Sequence, residues 1–260
     1  MVQPLSPSDR AKYAAAIAAA DMVADGMRVG LGTGSTAAWL IRRLGQRIRD
    51  EGLRIRGVPT SERTAHAARE AGIELSTLDE LGWLDLTIDG ADEFDPELGL
   101  IKGGGGALLR EKIVATASDQ MVVITDAAKE VRHLGAFPLP VEVIGFGVRA
   151  TITLIEEILA TQDVLGTDVR LRLADDRPYA TDEGNRILDL SLQRIGNPRQ
   201  LSLVLNQVPG VVENGLFIDI ADMVLIGHAD GRVERRDATT GVVSHDTVTI
   251  ADPENVFKDI

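Results

Sequence analysis

Between Ile101 and Lys112 the chain reads Ile-Lys-Gly-Gly-Gly-Gly-Ala-Leu-Leu-Arg-Glu-Lys, shortly after an acidic turn, Asp89-Gly90-Ala91-Asp92-Glu93. Four consecutive glycines cost folding entropy and are tolerable where φ must be unusual or a ligand must touch the main chain. Lys102 enters this loop and Glu111 lies just beyond it, so one short segment offers a cation, free backbone N–H donors and a carboxylate near a helix start. In the acidic turn, Asp89 and Asp92 flank a Gly-Ala pair and can point into one cleft. Paired carboxylates push each other's proton affinities apart, which suits them to moving protons between hydroxyls. A solvated Asx-turn or an Mg²⁺ site would use the same residues, although nothing in the pattern demands a metal. Proton transfer beside a carbonyl needs a carboxylate base, an electrophile for the developing oxyanion and a second acid for the oxygens. One of each is present here.

A third segment, Gly32-Thr33-Gly34-Ser35-Thr36, joins backbone amides to several hydroxyls just before a helical pattern, an arrangement that binds phosphate or carboxylate. With Ala37 it also satisfies the final-Ala form of the dinucleotide-binding fingerprint. That rival expects a ribose-binding acid at the end of the second strand, where this chain has Val58-Pro59-Thr60. No Gly-Lys-Ser/Thr ending is present, which disfavours a Walker-type nucleotide site. The histidines, His66, His133, His228 and His245, show no ligand spacing.

The elements that must hold these segments can be read from periodicity. Ser8 is a plausible N-cap for an Ala-rich helix over 9–24. Then come a strand at 27–31, the glycine turn, and a helix at 37–49. The order recurs with strands at 53–58, 84–88 and 121–124 and helices at 61–71 and 107–117. Such alternation predicts an α/β fold, Rossmann-like, with a mostly parallel sheet flanked by helices and ligands beyond the carboxyl ends of its strands. Around Phe137-Pro138-Leu139-Pro140 the pattern breaks; two prolines mark an edge strand or a crossing between domains. A smaller α+β domain is expected over 135–214, with the larger α/β domain built from 1–134 and 215–260. In it we expect a helix at 150–161, strands at 168–173 and 186–192 around a turn at 182–185, and a helix at 198–207. Strands at 211–218 and 222–226 can return to the first sheet. The tail 237–260 is polar and suggests no role.

The 260 residues, 44% hydrophobic, can bury a sizeable core. A net charge of -13 argues against nucleic acid or anionic lipid as partner, and leaves an anionic substrate dependent on local cations, with Lys12, Lys102, Lys112 and Lys129 as candidates. The absence of cysteine removes thiolate catalysis and Cys-ligated metal. Neither a leader-like N-terminus nor an apolar run long enough for a membrane span is seen, so a soluble cytoplasmic protein without membrane association is expected.

Taken together, Gly-Thr-Gly-Ser-Thr, Asp-Gly-Ala-Asp-Glu and Lys-Gly-Gly-Gly followed by Arg-Glu-Lys resemble the ribose-5-phosphate isomerase family of the A type. The Phe-Pro-Leu-Pro-Val-Glu-Val and Ile-Leu-Asp segments are similar to that family's second domain, and the resemblance runs from about Lys12 to Arg236. It implies an aldose–ketose isomerase of the pentose phosphate pathway that interconverts ribose 5-phosphate and ribulose 5-phosphate through an enediolate, with no cofactor and no metal. It further implies Glu111 as the base between C1 and C2, Asp89 and Asp92 as handlers of hydroxyl protons and ring opening, and Lys102 as stabiliser of the enediolate oxygen. Thr33, Gly34, Ser35, Thr36, Gly90, Ala91, Gly103, Gly104, Gly105 and Lys129 match the substrate-binding positions, and Lys12 a further cation near the phosphate. A homo-oligomer, dimer or tetramer, is carried over in the same way. Departures from the family pattern are Gly106, Leu109 and the long tail. The rival functions are a sugar-phosphate sensor that only binds, or a CoA-transferase acting through a glutamyl ester. The expectation for the site is that residues 89, 92, 102 and 111 converge on one pentose, with the amides of 33–36 at its anionic end.

Overall fold

The computed structural model describes residues 5–250, and its contacts divide the chain into two compact units. Of the described residues, the first comprises 5–90, 117–128 and 222–250, the second 91–116 and 129–221. These boundaries differ from those read in the sequence. The segment 91–116, which carries the glycine loop, belongs with the second unit, as do 129–134 and 215–221. The reason is local pairing: Glu93–Phe94, Leu100–Ile101 and Leu216–Phe217 form their own small antiparallel sheet.

The first unit is an eight-stranded sheet. From edge to edge its strands are Val243–Thr247, Arg232–Asp237, Met223–Gly227, Met121–Asp126, Leu86–Asp89, Arg28–Leu31, Arg56–Pro59 and Glu74–Leu75. The six from Met223–Gly227 to Glu74–Leu75 run parallel, and the remaining two are antiparallel additions. The parallel α/β expectation therefore holds. The polar tail that suggested no role supplies the outermost strand as far as Thr247, an edge whose exposed polar side chains hide it from a periodicity reading; 251–260 lies outside the described residues.

Helix Pro7–Ala20 starts two residues earlier than the sequence suggested, because Ser6 rather than Ser8 is the cap. The Ser6 side chain accepts from the Asp9 N–H, and Pro7 takes the first helical position, where no N–H is needed. Five fully buried alanines, Ala14, Ala15, Ala16, Ala19 and Ala20, let this helix lie close on the sheet. At Gly227 a Cβ would stand 1.9 Å from the Ala11 carbonyl oxygen, so only glycine admits that approach. The neighbouring helix Ser35–Glu51 ends at Gly52 with φ 72°, a left-handed terminus. Tyr13 and Trp39 meet edge to face at 5.5 Å between the two helices.

The second unit is built on a four-stranded antiparallel sheet in the order Val211–Asn214, Leu139–Val143, Arg186–Ser191, Asp168–Leu171. Helices Leu108–Thr116, Val148–Leu159 and Pro198–Leu205 accompany it. Its core gathers Leu139, Val141, Val143, Leu188, Leu190, Ile155 and Leu205. Here the proline argument fails, because Pro140 sits in a central strand. The Pro140 carbonyl accepts from the Gly215 N–H at 2.8 Å. In an antiparallel strand a residue's N and O face the same neighbour, so the missing N–H points past the last residue of Val211–Asn214 and no ladder bond is lost. Of the two strands expected just after Pro209, only the second, Met223–Gly227, returns to the large sheet; Val211–Asn214 stays in the second unit.

Within that unit Glu142 is buried and accepts from the Thr181 hydroxyl and the Asn185 amide, each at 2.9 Å. Burial pushes its pKa above the ordinary glutamate value, against the two hydrogen bonds, which pull it down. A carboxyl with a raised native pKa favours folding at low pH and loses that contribution as pH rises through the native value. Glu142→Gln should therefore melt like the parent in acid and higher than the parent above neutrality, with turnover intact. Thermal melts across pH check this; a constant difference would be the wrong result.

Candidate functional site

Within the first unit the acid and the glycine turn are assembled by the parallel sheet, since Gly32 follows Arg28–Leu31 and Asp89 closes the adjacent Leu86–Asp89 at the same end. Asp89 is fully buried, and its Oδ1 accepts from the Thr33 N–H at 3.0 Å and the Gly90 N–H at 2.7 Å. A Cβ on Gly32 would fall 2.2 Å from that oxygen, so the glycine exists to admit the carboxylate. The Thr33 side chain is buried too. Its hydroxyl lies within 2.8 Å of the Thr60 and Ser61 hydroxyls and 3.1 Å from that of Thr64. Thr33 thus spends its amide on Asp89 and its hydroxyl on a buried cluster, whereas Gly34, Ser35 and Thr36 stay accessible at the start of helix Ser35–Glu51. Gly34 has φ 108°, and no side chain caps that helix start. Thr60 stands where a dinucleotide site needs an acid, fully buried and bonded to the Leu31 carbonyl. Ser8 donates to Asp126 at 3.5 Å, which brings the first turn of helix Pro7–Ala20, one turn before half-buried Lys12, to the carboxyl end of the strands.

Within the second unit Lys102 and Glu111 form a buried ion pair, Nζ to Oε2 3.3 Å, with side chains 3% and 4% exposed. Lys102 follows the short strand Leu100–Ile101, and Glu111 lies in the first turn of helix Leu108–Thr116, where the helix dipole favours a negative charge. The glycines between them are not equivalent. Gly103 and Gly106 are buried at φ 104° and 78°, while Gly104 and Gly105 are exposed. Asp92, half-buried, accepts from the Gly104 N–H at 2.7 Å, and a Cβ at Gly104 would come 2.6 Å from its Oδ1. Both sequence-selected aspartates therefore do the same thing locally: each carboxylate accepts from a glycine N–H, Asp89 from Gly90 and Asp92 from Gly104, and each lies where a neighbouring glycine, Gly32 or Gly104, leaves room for it. The unusual Gly106 has a reason as well, since a Cβ there would strike the Tyr179 hydroxyl at 2.3 Å.

Sequence reasoning missed Phe217. Its buried ring centroid lies 5.5 Å from the Lys102 Nζ and 4.9 Å from the Lys112 Nζ, within cation–π range of both. Only its neighbour Leu216 and the general apolar run pointed to it. Lys112 is committed inside the protein: it donates to Glu213 at 2.9 Å and to the Asn214 carbonyl at 2.6 Å, and burial holds its pKa below the usual lysine value. It is thereby corrected as a candidate cation for an anionic ligand. Lys129, half-buried, ends a 3-10 turn at Ala127–Lys129, with its Nζ 6.0 Å from the Phe137 ring. Among the described residues no group of three or more His, Asp or Glu could hold a metal ion, and no helix is long and apolar enough to cross a membrane.

The arrangement can lend a carboxylate and an ammonium to a proton transfer in a dry setting, and comparison with known proteins points to the same chemistry. Residues 56–231 match the family model described as ribose 5-phosphate isomerase A (phosphoriboisomerase A). Ribose-5-phosphate isomerase A of Ruegeria pomeroyi is 67% identical over all of this chain and 99% of that protein. Among solved structures, a D-ribose-5-phosphate isomerase in complex with phospho-erythronic acid superposes with a TM-score of 0.83 at 38% identity, covering 89% of this chain and 100% of that one. Ribose 5-phosphate isomerase A of Methanocaldococcus jannaschii gives 0.80 at 42% identity, covering 87% and 97%. These relatives are isomerases over nearly their whole length and do not favour the sensor or CoA-transferase readings. The chain belongs to the ribose 5-phosphate isomerase A family and is an aldose–ketose isomerase.

Proposed function

We propose that the isomerisation runs by proton transfer on Glu111. The Glu111 carboxylate takes the proton from C2 of the open-chain aldose, giving a cis-enediolate whose O1 carries the negative charge. Lys102 faces that oxygen and compensates the charge. The O2 proton passes to O1 through an aspartate, and Glu111 returns its proton to C1, so the ketose forms with no net gain or loss of atoms or electrons. Asp89 and Asp92 serve the hydroxyl protons and the opening of the sugar ring. Gly90, Ala91 and Gly103 to Gly105 line the sugar, and the amides of Gly34, Ser35 and Thr36, with Lys12 and Lys129, hold its phosphate. Thr33 acts one step back, holding Asp89. No cofactor or metal takes part in this scheme.

What carries the reading is the Lys102–Glu111 pair, 3.3 Å apart and buried at the two ends of a glycine loop. A base needs a fixed position, and a buried cation beside it compensates the charge of the form that accepts a proton. The test is isomerisation of ribose 5-phosphate in D₂O. The proton held on the Glu111 carboxyl exchanges with solvent during the lifetime of the enediolate, so solvent deuterium at C1 of the ribulose 5-phosphate formed is the expected result; full conversion with all carbon-bound hydrogen retained would point to hydride shift and overturn the scheme. The proposed setting is a cytoplasmic homodimer or tetramer. Phe146, 90% exposed, and the edge strand Val211–Asn214 support self-association.

A further inference from the structure

The loop joining Lys102 to the Glu111 helix has the most freely rotating sequence available, yet its geometry must keep two buried charges a fixed distance apart. A second segment of the same unit restrains it. Arg172, just after strand Asp168–Leu171, donates from Nη1 to the Gly103 carbonyl at 2.9 Å and the Gly104 carbonyl at 3.1 Å. The Tyr179 hydroxyl lies 3.4 Å from the Gly105 carbonyl, which it meets as donor. Three successive glycine carbonyls are thus engaged from one side, while Asp92 takes the Gly104 N–H. The guanidinium is itself fixed: Asp189 accepts from its Nε at 2.9 Å and its Nη2 at 2.5 Å, and the group lies 5.9 Å from the Tyr179 ring centroid. Its side chain is 16% exposed. A planar fork answers one carboxylate and two carbonyls at once, which an ammonium cannot reproduce.

We propose that Arg172 is a positioning residue for the isomerisation: clamped by Asp189, it locks the backbone of Gly103 to Gly105 and through it the placement of Lys102 and Glu111. This rests on Glu111 being the base and on Gly103 to Gly105 lining the sugar. A loop released from Arg172 keeps its charges but not their alignment, and a displacement near 1 Å costs about 10²-fold in rate.

Arg172→Ala, Arg172→Lys and Asp189→Asn are compared with the parent and with Glu111→Gln, in kcat, KM for ribose 5-phosphate and melting temperature. Arg172→Ala should lose about 10–10²-fold in kcat, with a smaller change in KM, and regain part of it when guanidinium ion is added at non-denaturing concentration. Arg172→Lys and Asp189→Asn should lose kcat with melting temperatures near the parent's, and guanidinium should help neither. Parent-like kcat in Arg172→Lys and Asp189→Asn overturns the proposal, and so does a fall in kcat that only follows a fall in melting temperature without guanidinium rescue. If Arg172→Ala does not fold, the other two variants decide by the same criterion. Turnover surviving in Glu111→Gln would instead remove the assignment of the base, whereas an inactive Glu111→Gln beside a parent-like Arg172→Lys removes only the positioning role.

Discussion

Glu111→Gln is expected to bind ribose 5-phosphate about as the parent does and to lose most of its turnover, on the order of 10²–10⁴-fold, the usual contribution of a general base. The amide keeps the size of the carboxylate and an oxygen that can accept from Lys102, but it takes no proton from carbon. The phosphate-holding groups proposed at 34–36 lie in a different part of the chain, so affinity has no reason to fall with rate. The comparison that makes the result specific uses the other buried carboxylates of the same unit. Glu93 accepts from the Gly135 and Phe137 N–H groups, and Glu142 accepts from Thr181 and Asn185. Each holds loops together rather than facing a buried ammonium, so Glu142→Gln should leave turnover alone. A coupled isomerase assay with calorimetric titration of the sugar phosphate measures both quantities. Near-parent turnover in Glu111→Gln, or equal losses in Glu111→Gln and Glu142→Gln, would rule out Glu111 as the base.

The candidate site was legible in the sequence wherever its chemistry is local. Gly32 to Thr36, Asp89 to Glu93 and Lys102 to Glu111 are short runs whose composition makes little sense as plain scaffold, and alternating strands and helices located two of them at strand ends. What the sequence hid is held by distant contacts. Arg172 and Asp189 look like ordinary charges on a polar hairpin, and Phe217 like one more core residue; their bearing on the glycine loop exists only after folding. Thr33 shows the opposite error. A hydroxyl in a phosphate-type loop invites a ligand, but Thr60, Ser61 and Thr64 are near enough to take it first. Pro140 and the strand Val243–Thr247 were misread for one reason: a residue pattern reports which faces are apolar, not which side of a strand needs its N–H groups or whether a polar edge strand will pair.

Replacing Lys102 by Met should cost both turnover and stability, and the way the losses combine with those of Glu111→Gln tests the pair itself. Turnover should fall by about 10²–10³-fold, as when one donor to a developing oxyanion is removed. Stability should fall by about 3–5 kcal/mol, because the Glu111 carboxylate stays buried without its lysine, and breaking a buried pair is far costlier than never having built it. The double variant Lys102→Met with Glu111→Gln should therefore melt above Lys102→Met alone, even though it carries one more substitution. Its residual turnover should be no lower than that of the weaker single variant by more than a few-fold, since residues acting in one step do not contribute additively. Additive falls in melting temperature, with the double variant the least stable of the three, would mean that the 3.3 Å approach of Lys102 to Glu111 contributes no coupling. The base would then sit beside a cation with no energetic hold on it, and the compensation argument for this proton transfer would lose its footing.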